Sequence, residues 1–179
     1  MPTTARPGAF TEAMEASLRT AALQDARVRT ALGERFGYVA AAEVEPDKER
    51  PPNSATALPV RLTFFSYANN VAVEVLMSGR AVENVNPREG YQPPAGAEEM
   101  EAAIALARRD DRLRGVQRMD ATAIVTERQK GQPSYGHRVL HVSFSVPGAD
   151  APGYYALVDL TDQKIVTAGP VGGPEGGIR

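Results

Sequence analysis

The chain has 179 residues, of which 42% are hydrophobic and 6% aromatic, with no tryptophan and no cysteine. A formal charge of −2 excludes the basic stripe of a nucleic-acid-binding domain, and the lack of cysteine excludes disulfide and thiolate chemistry. No run of about 18 apolar residues is present to span a membrane, and the opening MPTTARPGAFTEAMEASL lacks the apolar core of a signal peptide, so a soluble, cytoplasmic protein is expected.

Residues 1–9 read as a flexible N-terminus, followed by a first module over 10–86. Thr11 can cap a helix whose first turn carries Glu12 and Glu15, complementing its positive end. Met14, Leu18, Ala21, Val28 and Leu32 recur at helical spacing and predict one buried stripe, with Gly33 near its end. VEPDKERPP, residues 44–52, is a rigid charged corner, because Pro46 restricts Glu45 to extended geometry. Lys48 and Arg61 offer charges to Glu43, Glu45 or Glu74, in surface ion pairs worth about 0–1 kcal/mol each. Strands follow: Val60, Leu62 and Phe64 alternate with Arg61 and Thr63, then Val71, Val73 and Val75 with Ala72 and Glu74.

A proline- and glycine-containing linker is expected over 87–97 and a second module over 98–169. Its helix opens with Glu98, Glu99 and Glu101 and buries Met100, Ile104 and Ala107, with Gly115 near the end. The ARRDDRLR run reads as a solvated helix end, since adjacent carboxylates on a helix do not face one another. Leu140, Val142, Phe144 and Val146 alternate with His141, Ser143 and Ser145, and Tyr154-Tyr155 begin the last hairpin. The two halves resemble each other at a fixed offset: Asp25 and Asp110 are 85 positions apart and open DARVR and DDRLR. Glu74-Val75 and Asp159-Leu160 match at the same offset, each read as closing a strand. The fold class is therefore α+β: two tandem modules, each a helix on a three- to four-stranded antiparallel sheet. The Gly/Pro tail over 170–179 is expected to be flexible.

In order and spacing, Phe36…Glu43-Val-Glu45-Pro46-Asp47-Lys48, Pro59-Val-Arg61, Glu74-Val75 and Gly90-Tyr-Gln92-Pro93 before an acidic helix start resemble the N2 and N3 domains of copper amine oxidases. That resemblance covers nearly the whole chain and implies tandem cystatin-like modules of the kind that precede the oxidase's catalytic domain. Glu45, Pro46, Lys48, Arg61 and Glu74 would then form a structural or interface corner. Copper amine oxidases build a quinone from the tyrosine of an Asn-Tyr motif and bind copper through three histidines. This chain has no Asn-Tyr pair and only two histidines, so amine oxidase activity by the chain alone is excluded.

The resulting expectation is a non-catalytic binding or accessory protein without a cofactor or metal. Its partner would be a protein or peptide, including a separately encoded oxidase or biosynthetic enzyme, and neither nucleic acid nor membrane. The alternative is a small biosynthetic enzyme using His137, His141, Tyr155 and Asp159 for proton transfer. Read as residues of one strand, His137 and His141 lie about 13 Å apart, too far to chelate one metal on their own. Tyr135, Tyr154 and Tyr155 add an aromatic element beside them. Peptidase inhibition is disfavoured, because the Gln-x-Val-x-Gly loop of cystatins is absent.

Overall fold

The computed structural model describes residues 10–44 and 58–172. Of the expected corner, Glu45, Pro46 and Lys48 lie outside the described residues, as do the 1–9 segment and most of the tail. Two four-stranded antiparallel sheets are formed, each carrying helices on one face. The first half runs α1 (Glu12–Gln24), α2 (Ala26–Leu32), β1 (Phe36–Glu43), β2 (Val60–Ser66), β3 (Val71–Ser78) and β4 (Ala81–Arg88). The second runs α3 (Ala97–Arg108), two single-turn 3-10 helices (Asp111–Leu113 and Val116–Arg118), β5 (Asp120–Val125), β6 (Val139–Ser145), β7 (Tyr154–Asp159) and β8 (Lys164–Pro170). Both sheets keep chain order, β1-β2-β3-β4 and β5-β6-β7-β8. No helix among the described residues is long and apolar enough to cross a membrane.

Thr11 caps α1, its hydroxyl accepting from the Met14 amide at 3.2 Å. The continuous stripe expected from Met14 to Leu32 is instead two helices. Asp25 ends α1 in extended geometry and caps α2 by accepting from the Arg27 amide at 2.8 Å. Leu18, Ala22, Val28 and Leu32 are buried, whereas Met14, in the first turn of α1, is 44% exposed. Gly33 closes α2 at φ 68°, a left-handed conformation that glycine adopts without Cβ strain.

The offset repeat is a repeated piece of structure. Asp25 accepts from Arg27 Nε at 3.1 Å and Nη2 at 2.8 Å. Asp110 accepts from the Arg112 amide at 2.9 Å, Nε at 2.8 Å and Nη2 at 2.7 Å. The side-chain bonds from the arginine hold both carboxyls below the usual range, Asp25 down to about 2. The second matching pair is looser: Asp159 ends β7, but Glu74 sits mid-strand in β3, which runs on to Ser78. Glu74 pairs with Arg88 at 3.1 Å, across the neighbouring strand, while Arg61 lies opposite Leu76 in the β2–β3 pairing.

Each sheet has its own core. Leu62, Phe64, Val73, Val75 and Met77 pack beneath α1 and α2, and Leu140, Val142, Phe144, Ala156 and Val158 beneath α3. Between them is a polar junction. Glu99, expected at a helix start, is buried, and so is Arg138, the residue before β6. Arg138 donates to Glu99 from Nε at 3.0 Å and Nη2 at 2.7 Å, and to the carbonyls of Pro93 at 2.7 Å and Pro94 at 3.1 Å. From the first module, Tyr67 donates its hydroxyl to Glu99 at 3.0 Å, and the Phe65 ring lies 4.8 Å from the Arg138 guanidinium carbon. Arg35 donates to the Leu160 and Thr161 carbonyls at 2.9 and 2.8 Å. The linker prolines thus supply acceptors to a buried cation, and the two modules share one charged seam.

Candidate functional site

Alternation along β7 puts Tyr155, Leu157 and Asp159 on the face of the second sheet turned away from α3. Pairing sets His141 beside Leu157 and Val139 beside Asp159. This face therefore carries two titratable pairs, separated along the strands by a few residues.

The first pair is His137 with Asp159. His137 is not on the strand with His141, because β6 begins at Val139. It sits in a turn where its amide donates to the Ser134 carbonyl at 3.1 Å, and this turn folds over the end of the sheet. Asp159 is fully buried. Its Oδ2 lies 2.8 Å from His137 Nδ1, and its Oδ1 accepts from the Asp162 amide at 3.1 Å. Burial alone would raise its carboxyl, but the hydrogen bonds and charge around it, those of His137 and the Asp162 amide among them, outweigh burial and hold it below the ordinary range. A carboxylate only accepts, so Nδ1 carries the hydrogen and the neutral ring offers Nε2 as an acceptor.

Asp162 and Lys164 complete the cluster. Asp162 Oδ2 is 3.7 Å from His137 Nδ1 and 2.6 Å from Lys164 Nζ, which is itself 4.0 Å from Asp159 Oδ2. His137, Asp159 and Asp162 bring their potential ligand atoms within 4.8 Å of one another, a donor set suited to a cation. The Lys164 ammonium already supplies positive charge at the same carboxylates, so a metal entering there would meet like-charge repulsion.

The second pair is His141 with Tyr155. Their rings are nearly parallel, 11° between planes and 6.0 Å between centres, and Ser143 Oγ lies 3.3 Å from His141 Nδ1. Desolvation lowers the His141 imidazole below its usual value, which favours the neutral ring. The structure thus places the four expected residues in two pairs on one sheet face, with Tyr155 buried and Tyr135 56% exposed. Asp162 and Lys164 escaped sequence reasoning. The spacing of Asp159 and Asp162 around a turn was the available signal, since a carboxylate often accepts from an amide a few residues on.

A scan against protein-family models finds no family that matches, and a search of curated proteins finds no match either. The chain has two histidines, and the metal-capable group among the described residues contains one of them. Copper catalysis of the amine oxidase type, with its three histidines, is excluded for this chain.

Proposed function

We propose that the outer face of the second sheet holds a small polar ligand and that His137, oriented by Asp159, exchanges a proton with it. The observation that carries this reading is the 2.8 Å contact between His137 Nδ1 and the buried Asp159 carboxylate. A buried carboxylate behind an imidazole fixes the tautomer and stabilises the imidazolium formed when Nε2 takes a proton. His141, stacked on the buried Tyr155 ring, lies on the same face, and Lys164 supplies a cation for an anionic group of the ligand. The chemistry is general acid–base catalysis.

Thermal-shift screening of the full chain against small carboxylic acids and carbonyl compounds tests the reading, since a ligand of the folded state raises apparent stability by mass action. Hits should lose their shift in His137→Ala and keep part of it in His141→Ala. Hits that shift the wild type and both histidine variants equally would refute a site on this face.

A second reading is supported by the bonds that cross from the first module to the second, Tyr67 to Glu99 at 3.0 Å and Arg35 to the Leu160 carbonyl at 2.9 Å. In it the chain is a pair of cystatin-like modules, as the likeness to copper amine oxidase accessory domains implies, and acts as an accessory protein for a partner enzyme. Co-purification from the native host distinguishes the two, because an accessory protein recovers its enzyme and a self-contained acid–base protein does not.

A further inference from the structure

Two four-stranded open sheets have four edges, and three are closed to further pairing. At β1 the bulge between Tyr38 and Ala40 interrupts the ladder, and Gly96 packs so tightly that a Cβ there would meet Val39 Cα at 2.9 Å. At β4, Pro87 removes an amide, the register shift opposite Leu76 and Met77 leaves Glu83 as an extra residue, and Arg27 donates to the Val82 carbonyl at 2.8 Å. At β8, Lys164 and Pro170 stand at the two ends, and the register shift opposite Leu157 and Val158 leaves Val166 as an extra residue on β8. Lysine, proline and bulges are the devices by which edge strands avoid pairing.

β5 has none of them. Its sequence is DATAIV, its register with β6 is unbroken, and no strand among the described residues pairs with its other side. The Thr126 amide donates to the Val139 carbonyl at 2.9 Å. Alternation therefore turns the amides and carbonyls of Thr122 and Ile124 towards β6 and those of Ala121, Ala123 and Val125 outwards. Ile124 is 64% exposed. Two hollows lie between this edge and the α3 side. One, of about 490 Å³, is lined by Pro94, Met100, Ala123 and Val125. The other, of about 420 Å³, is lined by Ile104, Arg108, Met119 and Ala121. The charged side chains at these hollows are Glu127 in the first and Glu101, Asp120 and Arg108 in the second. Arg108 already donates to the Met119 carbonyl at 3.0 Å.

We propose that the open edge of β5 receives an extended, basic peptide segment of another protein as a fifth strand of the sheet. Outward amides and carbonyls give main-chain affinity, the hollows take alternate apolar side chains, and the three carboxylates select lysine or arginine between them. This inference does not depend on the His137 site, which is formed by the turn before β6 and the end of β7.

The test is fluorescence anisotropy of the full chain with two labelled peptides, one alternating valine with lysine and one alternating valine with glutamate. The lysine peptide should bind at least about tenfold more tightly and lose affinity with added salt. Amide exchange should slow at Ala121, Ala123 and Val125. Ile124→Lys, at an exposed position, should weaken binding by about tenfold or more, and Glu101→Lys with Glu127→Lys should reverse the charge preference. His137→Ala should leave binding unchanged. Failure of both peptides to bind, equal binding of the two, or protection elsewhere would overturn the proposal. So would a dimer in sedimentation that Ile124→Lys dissociates, since a second copy would then be the strand that pairs there.

Discussion

At the residue scale, Asp159 decides both the candidate site and part of the stability. Its carboxyl is held below the ordinary range, so its contribution to folding is present above that range and is lost as pH falls through the folded-state value. Asp159→Asn should cost about 1–3 kcal/mol at neutral pH, and the variant's urea midpoint should fall less steeply than that of the wild type below about pH 4. A parallel loss at every pH would mean that the carboxylate is not ionised in the folded protein. Asp159 and His137 were both legible as candidates from residue type. Their contact was not, because 22 positions separate them and only the turn after Ser134 brings the imidazole back over the strand end.

At the element scale, α3 is placed by close approach. A Cβ on Gly96 would run into the Tyr38 carbonyl, with Val39 Cα at 2.9 Å, so the helix start lies directly on β1. Gly96→Ala should destabilise the protein by about 1–3 kcal/mol through overpacking, read as a lower urea midpoint with an unchanged slope. Strands and helix starts were readable from alternation and acidic first turns. The break at Asp25 was masked by apolar residues continuing at helical spacing on both sides of it. Burial of Glu99 was hidden for a different reason. An acidic residue in a first helical turn ordinarily faces water, and its partner Arg138 stands 39 positions away.

For the whole molecule, the seam between the modules predicts how they unfold. Glu99 and Arg138 side chains are 1% and 0% exposed, and removing one partner of such a pair costs about 3–5 kcal/mol. The wild type should melt in a single calorimetric transition, Arg138→Met at a lower temperature, and Arg35→Met combined with Tyr67→Phe in two, because Arg35 and Tyr67 carry hydrogen bonds from the first module to the second. Glu99→Leu combined with Arg138→Met should recover a large part of the loss, because the uncompensated buried charge is gone. Two transitions in the wild type would show that the seam does not couple the modules. Doubling of the architecture was visible in the offset repeat, but the way its copies are joined was not, since the seam uses residues that the repeat does not share.

The twin aspartate–arginine clasps at Asp25 and Asp110 have an evolutionary corollary. If both descend from one ancestral punctuation mark, DARVR and DDRLR are interchangeable parts. A chimera that swaps them between positions 25–29 and 110–114 should still stop its helices at the same places.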